Sequence, residues 1–564
     1  MKNLSELLAI RAKKAIFEAC GQEGVEPEIT QSTQPQFGHY QCNNALKLGK
    51  VLGQNPRQIA EKIVEKFDRT GLSKMEIAGP GFINISFDPV YLAQEVEKIL
   101  KDPHLGIDKI PFPQKIIVEF SSPNVAKELH VGHIRSTIIG DCLARLFEFL
   151  GHDVLRLNHI GDWGTQFGML IAYMRENKVP DHADLSALMG WYRLAKKKFD
   201  EDPAFKKRAQ LEVVKLQGGD SESLKDWKMI CDISRKGFQE IYDLLDVKII
   251  ERGESFYNPF LKGIVEDFTN KGLITISDGA KCVFLEGFEI PVIIQKADGG
   301  YNYDTTDIAA IHHRVSVEKA DRIIVVVDAG QSLHFQMIFK VAEKAGYYDP
   351  SKTQMEHVAF GVVLGADGKK FKTRSGETEK LMDLITEAID KSKEVLKERL
   401  PDLEEDALNE DAKILGTDAI KYADLSSHRT KDYVFSYDKM LRFDGNTAPF
   451  LLYAYVRING IKKKVGKDVQ KINVKIELEH PTEIALALHL RQFGESLDAV
   501  SKELLPNRLT DYLYNLAEKF HLFFHDCRVE GTPQEESRLL LCEATSRILK
   551  QGLSILGLKT LNKM

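Results

Sequence analysis

Two histidines flank a glycine in His130-Val131-Gly132-His133, between a short apolar run and a long helical stripe. Imidazole N–H groups donate to phosphate oxygens, Gly132 lets a ligand approach the backbone, and a helix start favours anions. Lys127 adds a positive charge three residues upstream. Further on, Lys370-Phe371-Lys372-Thr373-Arg374-Ser375 is a basic loop able to stabilise charge on phosphoryl oxygens. Tyr303 and Asp307 stand four residues apart on one helix face, where a carboxylate and a ring could hold a planar cation. Each feature also has a plain reading taken alone: packed loop histidines, a solvated basic loop, a capped helix end.

The elements around these residues read as α/β. Lys115-Ile116-Ile117-Val118-Glu119-Phe120 is a short buried strand, and Ile138, Cys142, Leu146 and Leu150 lie on one helical stripe that Gly151 ends. A second strand starts at Asp153, so strand, helix and strand form a βαβ unit in a parallel sheet. This puts the histidine cluster at a strand's carboxyl end, where doubly wound sheets bind ligands. Residues 322–327 read as another central strand, followed by a helix from about Leu333 to Gly346. An insertion over about 170–290 is helical first and strand-like later.

The fold class expected is therefore multidomain α/β. Residues 1–112 form an N-terminal α+β domain, with helices at Leu4–Cys20 and 56–67 and an alternating strand ending at Phe87. Residues 113–440 form a Rossmann-like parallel-sheet domain with its insertion. Residues 441–564 form an α-helical bundle, with helices near 449–464, 483–501, 509–527 and 537–557.

The chain has 564 residues, 43% hydrophobic and 28% charged, enough for a large water-soluble interior. A net charge of −6 gives no global basic field, which leaves room only for a local basic face toward nucleic acid. The first residues lack the apolar core of a signal peptide, and no apolar run reaches membrane-spanning length. Seven scattered cysteines without a CxxC pair read as reduced thiols and not as zinc ligands.

HVGH resembles the HIGH signature of class I aminoacyl-tRNA synthetases. The string VEFSSPNVAKELHVGHIRSTIIGD, then NHIGDWGTQFG, YDTTDIAA, VVDAGQSLHFQ, FGVVLGADGKKFKTRSGE and FDGNTAPFLLYAYVRI, resembles the arginyl-tRNA synthetases in particular. FGHYQCNNALKLGK and AGPGFINI are similar to that family's N-terminal domain. The resemblance implies ATP-dependent activation of L-arginine to arginyl-adenylate and its transfer to the 3′ end of tRNA-Arg.

By the same resemblance His130, Gly132 and His133 contact ATP, and His334 faces the nucleotide. The second signature, KMSKS, is not intact; Lys370, Lys372 and Arg374 occupy that loop with the register open, and Lys127 compensates. Tyr303 and Asp307 take the guanidinium with Glu119 as a second acidic contact, while Ser122, Asn124 and Gln331 hold the α-amino and carboxylate groups. Asp162-Trp163-Gly164 shapes a pocket wall. Phe82 and Asn84 match positions that read the outer corner of the tRNA, and Tyr453 and Arg457, with Tyr455 and Lys462-Lys463-Lys464, fall in the anticodon-binding bundle. ATP arrives with Mg²⁺ as a substrate complex and no tightly bound metal is expected. The partners implied are tRNA-Arg, L-arginine and ATP, without DNA or membrane, for a cytoplasmic monomer. Two other readings fit parts of these features: another class I synthetase or smaller nucleotidyltransferase, and a non-catalytic RNA-binding paralogue.

Overall fold

Ile116, Ile117 and Val118 are fully buried, and a strand buried on both faces belongs inside a parallel sheet. In the computed structural model, which describes residues 1–179, 183–365, 367–369 and 380–564, Lys115–Glu119 is the middle of five parallel strands. The order across the sheet is Gln354–His357, Arg322–Val325, Lys115–Glu119, Asp153–Asn158 and Ile250–Glu251. Successive strands run outward on one side of Lys115–Glu119 and then on the other, so the winding reverses between it and Arg322–Val325. A crevice opens at the carboxyl ends of that pair. Ile117 packs with Leu157, Ile323 and Val325 to hold the two halves together.

The helix Val131–Leu150 follows the central strand and ends at Gly151, whose φ of 95° supplies a left-handed C-cap. Ser332–Lys344 follows Arg322–Val325 in the same way.

The segment expected as one insertion over 170–290 is divided. The helices Leu185–Glu201, Pro203–Gln217 and Ser221–Leu244 form its first part. The chain then returns to the main sheet, where Ile250–Glu251 pairs parallel with Asp153–Asn158. Two residues are too short to show a strand's period, so the sequence pattern misses this edge. Beyond it, the helix Glu254–Asn270 packs Tyr257, Leu261 and Ile264 with Ile308 and Ile311 of the helix Tyr303–Ser316. An antiparallel sheet of Thr275–Ser277, Ala280–Val283 and Val292–Gln295 completes the segment.

The contacts gather residues 110–441 with 555–558 into one compact unit, and residues 1–109 with 442–554 and 559–564 into the other. In the latter, an antiparallel sheet runs Ile29–Gln31, Tyr40–Cys42, Phe82–Phe87 and Leu72–Ala78. Glu76 to Ala78 form the end of that last strand. Five helices from Ala448 to Ile555 pack beside this sheet domain, joined by a buried ion pair of Arg491 with Glu95 at 2.7 Å. The helix expected over 483–501 is two, Pro481–Arg491 and Phe493–Glu503. The backbone leaves helical geometry at Gln492 (φ −88°, ψ 2°), whose side chain donates to Tyr40.

All seven cysteines are free thiols. Among the described residues no helix is long and apolar enough to cross a membrane.

Candidate active site

The loop from Phe120 to His130 holds three non-glycine residues in the left-handed region, Ser121 (φ 69°), Ser122 (φ 47°) and Ala126 (φ 61°). Such conformations persist only where surroundings over-determine them, and they cluster at functional sites. Here each strained residue's N–H is taken by a side-chain oxygen: Ser121 donates to Ser136 Oγ at 2.9 Å, Ser122 to Asn158 Oδ1 at 3.0 Å and Ala126 to Ser234 Oγ at 3.0 Å. Ser136 in turn donates to the Val326 carbonyl at 2.6 Å, tying the loop to the end of the neighbouring strand.

His130 is the N-cap of the helix that follows, and its Nδ1 accepts from the Gly132 N–H at 3.0 Å. The His130 N–H donates to Nδ1 of His133 at 3.1 Å, closing a reciprocal cap. A Cβ on Gly132 would come 2.9 Å from the His130 ring, so only glycine accommodates this packing. With both Nδ1 atoms accepting, the ring proton of each neutral histidine sits on Nε2. Burial, helped by the charge on Lys127, pushes the His130 imidazole below its ordinary value, and burial and His130 push His133 down to about 3. The pair therefore presents neutral N–H donors, and positive charge must come from elsewhere. Exposed Lys127 lies outside the cavity lining but within electrostatic reach of both rings.

Those histidines share a cavity of about 610 Å³ with a carboxylate set across the crevice. Tyr303 and Asp307 both line it, as their spacing requires, with Tyr303 59% exposed at its outer edge. Asp307 Oδ2 accepts from His334 Nε2 at 2.7 Å, and its Oδ1 lies 3.7 Å from His159 Nε2. His334 Nδ1 is 3.4 Å from Asp304. Burial alone would lower the His334 imidazole, but bonds to Asp304 and Asp307 outweigh it and carry it up to about 9.

Glu119, Ser122, Asn124 and Gln331 line the same cavity. Glu119 forms a buried ion pair with Arg314 at 2.5 Å, so its charge already has a partner. Ser122 Oγ is shielded from solvent without a hydrogen-bond partner among the described residues. Asn124 pairs with Gly161, where a Cβ would meet Asn124 Oδ1 at 2.1 Å. Lys370, Lys372 and Arg374 lie outside the described residues. The flanks of their loop border the site: Val363 lines the cavity, and Lys380 pairs with the His130 backbone and with Glu128 at 3.0 Å.

Two further lining residues had no role assigned from sequence: His159, which lies within NHIGDWGTQFG, and Glu254, which falls in no quoted motif. Burial, with the charges of Asp307 and Asp162, pushes the Glu254 carboxyl up to about 8. Asp162 reaches the start of that helix, accepting from the Ser255 N–H at 2.8 Å and hydroxyl at 2.6 Å. It thereby fixes Glu254, while Trp163 packs edge-on against Trp227 with centroids 5.8 Å apart. A larger cavity of about 880 Å³, bordered by Lys225, Lys228, Asp232 and Lys380, contains none of the histidine or Asp307 chemistry.

In the other unit, Phe82 is partly exposed, and Asn84 is buried with its Oδ1 accepting from Gln41 at 2.8 Å. Arg457 donates to Tyr453 Oη at 2.7 Å and lies over the Tyr453 and Phe524 rings at 4.7 and 5.1 Å. The run Lys462-Lys463-Lys464 is not uniformly free: Lys462 pairs with Glu543 at 2.5 Å and Lys464 with Glu530 at 2.6 Å.

Comparison with known proteins agrees along the whole chain. Residues 95–437 match the model of the class I (R) tRNA synthetase catalytic domain, residues 3–87 the arginyl-tRNA synthetase N-terminal domain, and residues 451–564 the DALR anticodon-binding domain. The arginine–tRNA ligase of Protochlamydia amoebophila is 61% identical over 555 residues, covering 96% of this chain and 95% of that one. That of Chlamydia abortus is 52% identical over 562 residues, covering 100% of both. The crystal structure of Plasmodium falciparum arginyl-tRNA synthetase superposes with a TM-score of 0.88 at 33% identity, covering 100% of both chains. A signature loop capped by its own histidines, a carboxylate pocket facing it and full-length relatives at this identity place the chain in one family: it belongs to the class I arginyl-tRNA synthetases.

Proposed function

We propose that the 610 Å³ cavity is where arginine and ATP react in this arginine–tRNA ligase. One observation carries the reading: the His130/His133 cap and Asp307 line the same cavity, so a phosphate site and a cation site face each other. ATP enters as its magnesium complex, with phosphates toward the Nε2–H groups of His130 and His133 and the open backbone at Gly132. Arginine places its guanidinium on Asp307 beneath Tyr303, with Glu119 as a further acidic neighbour, and its α-amino and carboxylate groups toward Ser122, Asn124 and Gln331. An arginine carboxylate oxygen attacks the α-phosphorus, the bond from that phosphorus to the α,β-bridging oxygen breaks, and pyrophosphate departs to leave arginyl-adenylate. The terminal ribose hydroxyl of the tRNA then attacks the carbonyl carbon, loses its proton, and AMP leaves. No side chain becomes covalently attached.

Positioning and electrostatics supply the rate. Neutral histidines stabilise developing phosphoryl charge without drawing in a counter-ion, while Lys127, Lys370, Lys372 and Arg374 provide the positive charge. His334 stands where it meets both the nucleotide side and Asp307. Phe82, Asn84, Tyr453 and Arg457 contact the tRNA, in a cytoplasmic monomer of three domains divided near 112 and 440. Charging of total tRNA with labelled arginine tests the reading. The chain should form arginyl-tRNA, and a folded His130→Ala/His133→Ala variant should not; undiminished charging by that variant would remove the phosphate site.

A further inference from the structure

The carboxylate that faces the guanidinium is already occupied. Asp307 Oδ2 is held by His334 at 2.7 Å, and Oδ1 faces His159 at 3.7 Å. Asp304 engages the other His334 nitrogen at 3.4 Å. Among the described residues, imidazoles are the only charge partners of these two carboxylates. A guanidinium binding side-on needs both oxygens of Asp307. It cannot have Oδ2 while His334 keeps it.

We propose that His334 is a placeholder cation: charged, it bridges Asp304 and Asp307 in the empty site, and it yields Asp307 and its proton when the substrate guanidinium arrives. This rests on the assignment of Asp307 to arginine and adds what that assignment leaves open, the state of the site before binding. Two carboxylates one turn apart repel, and the pocket walls exclude much of the water that would screen them: the His334, Asp304 and Asp307 side chains are 15%, 14% and 21% exposed. A bridging imidazolium neutralises them. Once the guanidinium brings a permanent charge to Asp307, a second cation beside it is no longer favoured.

The groups facing His334 are Asp304, Asp307 and Tyr303 from its partner helix, with His159 and Glu254 across the pocket beyond Asp307. Tyr303 lies with its ring centroid 5.1 Å away. The two carboxylates lift the His334 imidazole to about 9, so it is charged in the free enzyme at neutral pH. Glu254, raised to about 8, is the other proton holder near Asp307 and the control that must be separated from it.

Calorimetric titration of the full chain with arginine at about pH 8, in buffers of differing ionisation enthalpy, counts protons released. The wild type should release about one proton from His334 plus any from Glu254. Glu254→Gln should keep the His334 proton, and His334→Gln should lose it while still binding arginine. As a second measurement, arginine affinity of Glu254→Gln should tighten about tenfold per pH unit between about 6.5 and 8.5 and flatten near 9, since binding is linked to loss of one proton. Citrulline, which brings no charge, should release no proton from His334. Saturable arginine binding with no proton release by Glu254→Gln, or undiminished release in His334→Gln, would overturn the placeholder. Absence of saturable arginine binding by the wild type would instead overturn the arginine assignment itself, and the placeholder with it.

Discussion

His130 and His133 cap each other's backbone: the His130 N–H donates to Nδ1 of His133, and Nδ1 of His130 accepts from Gly132. One nitrogen of each ring thus serves the fold and the other is free for a phosphate, so substitutions can separate the two. His130→Asn keeps an acceptor at the δ position and should hold the cap while losing the Nε2–H donor. Its melting temperature should stay near wild type, with pyrophosphate exchange slowed on the order of a hundredfold. His130→Ala should lose both and fall a further ~1 kcal/mol in stability, the usual worth of an N-cap. Equal melting temperatures for the Asn and Ala variants would show that the cap contributes nothing.

The same rings set an acid limit. His133 is held down to about 3 in the folded chain against an ordinary 6.5, so between those values the unfolded chain binds more protons. Its contribution to stability is complete above about 6.5 and declines as pH falls toward 3. His489 behaves alike at about 4, with burial the cause; its Nε2–H donates to the Tyr512 carbonyl at 2.9 Å. Denaturant unfolding between pH 7 and 5 should show stability falling with acidity, and His489→Gln should flatten that slope. An unchanged slope would assign the acid sensitivity to other groups.

Arg135 and Asp424 form a fully buried pair at 3.1 Å, and Arg135 also donates to the carbonyls of Gly361 at 2.8 Å and Lys431 at 3.0 Å. This fastens the helix Val131–Leu150 to the segments just before the paired strands Val363–Leu364 and Tyr433–Val434, the first of which leads toward the basic loop of Lys370, Lys372 and Arg374. Asp424→Asn should destabilise by roughly 3–5 kcal/mol, because it strands a buried cation, whereas Arg135→Met with Asp424→Leu should recover much of that loss. If the double variant regains stability but not pyrophosphate exchange, the pair's role is to align the two loops. Thermal melts and exchange rates of the three proteins decide it.

Lys462 and Lys464 are engaged with Glu543 and Glu530, while exposed Lys463 has no ion pair among the described residues. Lys463→Ala should weaken tRNA binding and reduce the slope of log affinity against log salt by about one, as loss of one phosphate contact does. Lys462→Ala should lower the melting temperature and leave that slope alone. The reverse pattern would move the RNA-facing surface to another side of the helix Ala448–Val465.

Much of the site was legible because its chemistry is local in sequence. The histidine cap, its strand and its helix fall within thirty-six residues, 115–150, and Tyr303 with Asp307 needs only a helical period. The roles of His159 and Glu254 were not legible, although His159 lies in a quoted motif, because each reaches the cavity through tertiary placement: one follows an edge-ward strand, the other begins a helix held by Asp162. The strand Ile250–Glu251 was hidden by its length, and the pairing of Glu119 with Arg314 by 195 residues of separation. In the basic run at 462–464, composition alone cannot show which lysines already have acidic partners.

Selectivity gives the sharpest test of Asp307. Citrulline is nearly isosteric with arginine but neutral, so it would leave Asp307 desolvated without a cation. Truncating one side of a buried charged hydrogen bond costs about 2–5 kcal/mol, or about one and a half to four decades in specificity. Asp307→Asn should therefore lose most arginine activation, keep ATP binding, and shrink the preference for arginine over citrulline. Lysine should remain poor in both proteins, because a point-charge ammonium cannot match two carboxylate oxygens as a planar fork does. His334 complicates the variant in an informative way: with Asp307 neutralised it retains only Asp304, 3.4 Å from Nδ1, so its imidazole should become easier to discharge. Specificity constants for the three amino acids in wild type and Asp307→Asn, with circular dichroism to establish folding, make the comparison. An unchanged arginine preference in a folded Asn variant would move recognition to another acid lining the cavity. Glu254 would then come before Glu119, which is already spent on Arg314.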